Sequence, residues 1–150
     1  MSSSPLPPLS GNCGTPTSGE KEVRLNAAAL SDPDSLLISV SFPSFPSIFT
    51  KGLVDSGSSH CFVDSSYAIS NSLPIYDIPP VSLRLIDGSF GTIITQALDL
   101  SIRFTTGDIL PVKFYVTKLD PSVAFVFGYN WLHRYNPSID WFAGRLLSFR

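Results

Sequence analysis

The sequence predicts an all-β domain with one short helix near its C-terminus. Three observations carry this. Apolar residues recur at every second position in several stretches. The clearest is Leu98, Leu100, Ile102 and Phe104, set against Asp99, Ser101, Arg103 and Thr105. Turn-forming groups such as Asp87-Gly88-Ser89 and Thr106-Gly107-Asp108 separate the stretches. The long helical crossovers that a parallel βαβ fold repeats are missing from the pattern.

Residues 1–34 read as a flexible N-terminal segment or linker. Fourteen of the first twenty are Ser, Pro, Gly or Thr, which offer little apolar area against the entropy of ordering them. Val23, Ala27 and Leu30 share one side at helical spacing, which fits a transient helix or an extended lead-in. The domain proper is expected over 35–150. Ile38, Val40 and Phe42 alternate with Ser39 and Ser41 as a half-buried strand, and Pro43 and Pro46 mark its end. Ile48 to Val54 is a second strand leading to Asp55, and Phe62-Val63 a short third. Asp64, Ser65 and Ser66 favour a break. Val81, Leu83 and Leu85 form the next strand, and Ile93-Ile94 begin its return. Val112, Phe114 and Val116 follow the turn at Gly107. Ala124 to Phe127 is a short apolar strand that fits burial on both faces. Asn130 to Tyr135 reads as the short helix, which Pro137 discourages from continuing. Leu146, Leu147 and Phe149 supply a terminal strand.

Composition narrows the function. The 150 residues suffice for one core, and 43% hydrophobic content argues against full disorder. A net charge of -2 does not provide a nucleic-acid footprint, so no nucleic-acid partner is expected. No apolar run approaches the roughly 20 residues of a membrane helix, so no membrane partner is expected. The N-terminus shows no cationic region leading into a signal-peptide core. Cys13 and Cys61 do not make a disulfide scaffold. Together with His60 and His133 they show no zinc-ligand spacing, so no metal or other cofactor is expected. Reducing, intracellular conditions fit this cysteine usage. His60 and His133 read as strand or surface residues, and Trp131, Leu132 and Trp141 as packing residues.

The chemical centre is Leu53-Val54-Asp55-Ser56-Gly57-Ser58-Ser59. An apolar strand delivers a carboxylate into a Gly-containing turn. Gly57 permits a tight backbone path, while Ser56 and Ser58 can pin the turn or hold the carboxylate. Taken alone, the triplet is equally an Asx turn at a strand end. Three other pieces accompany it: Asp87-Gly88-Ser89, Phe127-Gly128-Tyr129-Asn130-Trp131-Leu132, and Asn136-Pro137-Ser138-Ile139-Asp140-Trp141. In this order the chain resembles the retropepsins, in particular the protease domain of Ty3/gypsy-type retrotransposon polyproteins.

The resemblance implies a retropepsin-like acid-protease fold with Asp55 as the catalytic aspartate. It implies that Ser56 locks two catalytic turns across a dimer and that Gly57 and Ser58 support the turn. Asp87, Gly88, Ser89, Phe90 and Gly91 fall at the flap, although Asp87-Gly88 is also an ordinary hairpin turn. Phe127 and Gly128 match the apolar-Gly signature beneath the active turn. Tyr129 stands where retroviral enzymes commonly carry Arg, so their ion network there is not carried over. The implied activity is a homodimeric aspartic endopeptidase acting on a polypeptide, a Gag-Pol polyprotein by resemblance, in the cytoplasm or a retroelement particle. Its paired carboxylates would share one proton and titrate together, favouring acidic conditions. The alternatives are a catalytically inactive module of the same fold, serving structure or interaction, and a protease that folds only within a longer polyprotein. The terminal strand, residues 145–150, is expected to contribute to the dimer interface, as the resemblance implies; the alternative is a sheet edge packed within one subunit.

Overall fold

The alternating segments become strands whose inward side chains share two apolar clusters. A computed structural model describes residues 22–32, 34–85, 90–119 and 123–149. Among the described residues ten strands run in chain order: β1 (Glu22–Leu25), β2 (Leu36–Ser41), β3 (Phe49–Val54), β4 (Phe62–Asp64), β5 (Tyr76–Leu85), β6 (Phe90–Phe104), β7 (Ile109–Thr117), β8 (Phe125–Phe127), β9 (Ser138–Asp140) and β10 (Arg145–Ser148). Helix α1 spans Ser65–Ser70 and α2 spans Tyr129–Tyr135. A 3-10 turn covers Ala27–Ser31.

The main sheet has the order β1-β5-β6-β2-β3-β8-β4-β7, and β6 also pairs with β7. That extra pairing closes strands β6, β2, β3, β8, β4 and β7 on themselves, leaving β1 and β5 as an extension. Closure satisfies backbone groups that an open edge would expose. The β2–β3 hairpin runs from Leu36 opposite Val54 to Ser41 opposite Phe49. β3 and β8 are parallel, with Val54 opposite Phe127. All three residues of β8 are buried, as a central strand covered on both faces requires. Phe125 and Phe127 face one cluster and Val126 the other. No helix among the described residues is long and apolar enough to cross a membrane.

The single-helix expectation is corrected. The break expected at Asp64, Ser65 and Ser66 is the start of α1. The Asp64 carboxylate accepts the Tyr67 N–H at 3.0 Å, capping the helix, and its other oxygen accepts the Leu119 N–H at 2.8 Å. Ala68 is the only buried residue of α1, so apolar spacing gave no helical signal. α2 begins at Tyr129 and is capped after Tyr135 by Asn136, whose φ of 42° lies in the left-handed region.

Residues 22–32 also depart from the flexible segment expected there. β1 pairs in parallel with β5, placing Val23 opposite Leu83, and buries Val23 and Leu25. β5 begins five residues before Val81 and runs through Pro79 and Pro80, which lack an N–H. A register shift between Asp77 and Val81 absorbs them. Ile93-Ile94 and the 98–104 alternation belong to one strand, β6. β9 and β10 form a separate antiparallel hairpin. On it, Leu146 is buried, Leu147 is exposed, and Phe149 packs against Phe104 at 5.1 Å between ring centroids.

Candidate active site

β3 carries Asp55 to the edge of the core. The Asp55 N–H donates to the Phe127 carbonyl at 2.9 Å, continuing the ladder between β3 and β8 by one residue. The chain then turns, and the Ser58 N–H closes back on the Asp55 carbonyl at 3.2 Å.

The half-buried carboxylate is held on both oxygens. Oδ1 accepts the Gly57 N–H at 3.1 Å and the Asn26 side-chain amide at 3.4 Å. Oδ2 accepts the Ser58 hydroxyl at 3.0 Å. Ser58 is completely buried, and its oxygen accepts the Asn26 N–H at 3.0 Å. Ser59 extends the lacing: its N–H donates to the Arg24 carbonyl at 2.9 Å, and its Oγ accepts the Arg24 N–H at 2.8 Å. A Cβ on Gly57 would lie 2.8 Å from Asn26 Nδ2 and 3.3 Å from Asp55 Oδ1. Glycine is therefore what lets the turn approach its own carboxylate and Asn26. Ser56, at the tip of the same turn, is exposed.

The Phe127-Gly128 pair supports the turn from below. Phe127 is fully buried against Trp131, Phe104 and Phe114, with centroids 4.9, 5.7 and 5.7 Å away. A Cβ on Gly128 would overlap the backbone of His60 and come within 2.8 Å of the Ser58 carbonyl oxygen. This close passage lets the first N–H groups of α2 reach the turn. Tyr129 N–H donates to the Ser58 carbonyl at 2.7 Å and Asn130 N–H to the Ser59 carbonyl at 3.1 Å. The helix's orphan donors thus fix the carbonyls of residues 58 and 59.

Asp55, Ser56, Gly57, Ser58, Phe127 and Gly128 therefore meet in one place. Asp87, Gly88 and Ser89 lie outside the described residues. Phe90 and Gly91 open β6, where the Phe90 backbone registers with Arg84 and Gly91 faces Leu83 and Leu85. Asn26 is the site residue that sequence reasoning missed. It is a single polar residue after β1, and no local pattern points across the 29 positions to Asp55. Asp55 and Ser56 line an open hollow of about 340 Å³ together with Asn26, Leu36 and Trp141. Trp141, expected as a packing anchor, is 65% exposed at the rim of this hollow.

Other titratable groups nearby have structural surroundings. His60 Nδ1 lies 2.7 Å from the Ser59 hydroxyl, and its ring meets Tyr115 edge-on at 5.7 Å. His133 stacks on Tyr129 at 5.9 Å. Burial pushes the Cys61 thiol up to about 12, despite an opposing backbone hydrogen bond from Gly128, which leaves it a poor nucleophile at neutral pH. Among the described residues, no group of three or more His, Cys, Asp or Glu side chains is placed to hold a metal ion.

The family model of the PEG10/RTL1 protease domain matches residues 51–149. The chain belongs to this family of retropepsin-like aspartic-protease domains. The solved retroviral protease-like domain of Ddi1 from Leishmania major has the same fold. It is 19% identical, with a TM-score of 0.57, covering 75% of this chain and 86% of its own. A Legionella pneumophila protein of unknown function is 9% identical with a TM-score of 0.42, over 65% of this chain and 84% of its own. The family match takes in the Asp55 turn, β8 and α2, but begins after Asn26. The lacing of Asn26 and Arg24 onto the turn is thus supplied by a segment outside the matched part of this retropepsin-like domain.

Proposed function

We propose that the chain is an aspartic endopeptidase that acts as a homodimer. The observation that carries this reading is the Asp55 carboxylate, oriented by Gly57, Ser58 and Asn26 beside an open hollow. Aspartic-protease chemistry needs two carboxylates around one water. One takes a proton from the water as it attacks the scissile carbonyl, while the other holds the shared proton and polarises that carbonyl. The chain carries one Asp-Ser-Gly triplet, so a second copy on a two-fold axis supplies the second Asp55. In this arrangement the exposed Ser56 meets its counterpart across the axis. The substrate on this reading is an extended polypeptide, whose main chain pairs in β-like fashion. By resemblance the substrate is a Gag-Pol polyprotein, processed inside the cell or a retroelement particle.

The test combines sedimentation with cleavage of a peptide library. Activity is expected to rise with the dimer fraction, and a folded, dimeric Asp55→Asn variant is expected to lose turnover. An active species that stays monomeric at every concentration, or an Asp55→Asn dimer with full turnover, rejects the reading. A folded dimer that binds but cleaves none of an exhaustive library would instead favour the inactive interaction module.

A further inference from the structure

A second groove lies at the other end of β3, away from Asp55. It has a volume of about 490 Å³, and the register shows how it is built. Ser41 of β2 stands opposite Phe49 of β3 on one side and Arg103 of β6 on the other. One step along, Ser39 stands opposite Lys51. Residues two apart on a strand share a face. Small serines therefore form the floor, with Phe49 and Lys51 as one wall and Arg103 as the other. The walls are two strand spacings apart, about 10 Å, which is room for one extended peptide segment. At roughly 3.3 Å per residue, Lys51 lies about 13 Å and Phe49 about 20 Å from Asp55. The two openings are therefore separate.

The chemistry of the lining is one-sided. Phe49 is 77% exposed, a large apolar ring presented to water. Lys51 and Arg103 are both exposed, and neither has a carboxylate partner among the described residues. None of the described residues lining the groove is acidic. Two unneutralised cations beside an apolar ring, on a chain of net charge -2, make a local exception to the charge of the whole. Two cations fall short of what a polyanion needs, because nucleic-acid affinity grows with the number of phosphates neutralised. An anionic membrane likewise calls for a broader basic cluster.

We propose that this groove is a docking site for an acidic peptide segment in which an apolar side chain is flanked by carboxylates. The apolar side chain packs on Phe49 over the serine floor, and the carboxylates pair with Lys51 and Arg103. Exposed pairs of this kind are individually weak, so the interaction is salt-sensitive and depends on both cations together. It requires neither cleavage nor the carboxylate of Asp55.

The test is amide chemical-shift mapping on the full 150-residue chain. The probe is the blocked hexapeptide Glu-Asp-Phe-Leu-Asp-Glu, with one control replacing its acids by Lys and another replacing Phe-Leu by Ser-Ser. Saturable shifts are expected at Ser39, Ser41, Thr50, Arg103 and Thr105 with the acidic peptide, and weak or absent shifts with either control. Lys51→Glu and Arg103→Glu change exposed side chains, and each is expected to weaken binding about tenfold or more. The proposal is overturned by equal binding of the Lys peptide, by unchanged affinity in both charge reversals, or by shifts centred on the Asp55 hollow. Absence of saturable shifts up to millimolar peptide, or tighter binding of a ten-nucleotide oligothymidylate to the same face, overturns it equally.

Discussion

Ser58→Ala should destabilise the chain far more than the loss of one oxygen atom suggests. The residue is completely buried, and its hydroxyl acts in two hydrogen bonds at once. It donates to Asp55 Oδ2 at 3.0 Å and accepts the Asn26 N–H at 3.0 Å. A hydrogen bond to a charged group contributes about 1.5–3 kcal/mol, and a part-buried donor left without its acceptor costs about 1 kcal/mol more. The expected loss is therefore about 2.5–4 kcal/mol, against well under 1 kcal/mol for an ordinary surface serine. Urea unfolding at neutral pH measures it, with protein concentration held fixed because self-association would add to stability. A cycle with Asp55→Ala isolates the carboxylate bond and should return a coupling of about 1.5–3 kcal/mol. A Ser58→Ala chain within about 0.5 kcal/mol of the parent would refute the reasoning, since neither bond would then contribute.

Two further outcomes follow from burial and exposure. Cys61 keeps its proton in the folded chain up to about 12, whereas an unburied thiol releases it near 9.0. Folded-state stability from this group is intact below about 9 and falls by about 1.4 kcal/mol per pH unit above it; thermal melts should show a shallower decline for Cys61→Ala, and identical slopes would contradict the buried thiol. Leu147 is 50% exposed while Leu146 and Phe149 face the chain's own core. Leu147→Asp should leave monomer stability within about 0.5 kcal/mol yet weaken dimerisation, with cleavage recovering at high protein concentration; unchanged dimerisation in sedimentation would show that β10 serves only its own subunit.

What was legible in the sequence was what a local pattern can encode. The alternation of Leu98, Leu100, Ile102 and Phe104 reports a half-buried strand because each side chain meets the same neighbouring surface. The Asp55-Ser56-Gly57 triplet was visible because a carboxylate, a small polar residue and a glycine suffice for the turn. The β1–β5 pairing was not visible. Its partners are 60 positions apart, and parallel pairing leaves no hairpin signal between Val23 and Leu83. Helix α1 was hidden because its start rests on the Asp64 cap and its burial on Ala68 alone. Asn26 was hidden for the same reason as β1. Its role depends on where the sheet carries the chain, and the residue itself carries no mark of it.

The two serines beside Asp55 make the division of labour in the turn concrete. Ser58 points into the protein and spends both halves of its hydroxyl on Asp55 and Asn26. Ser56, two positions earlier, is exposed. The turn is meanwhile clamped by Arg24 of β1 and Asn26 just beyond it, and by the N-terminal amides of α2. A carboxylate held this firmly within one subunit does not need a partner to orient it. On the proposed aspartic-protease reading, association serves to supply the second carboxylate of a paired site rather than to fold the turn. Substitutions at Ser58 and at Ser56 should accordingly separate, the first registering in the stability of the chain and the second in its assembly.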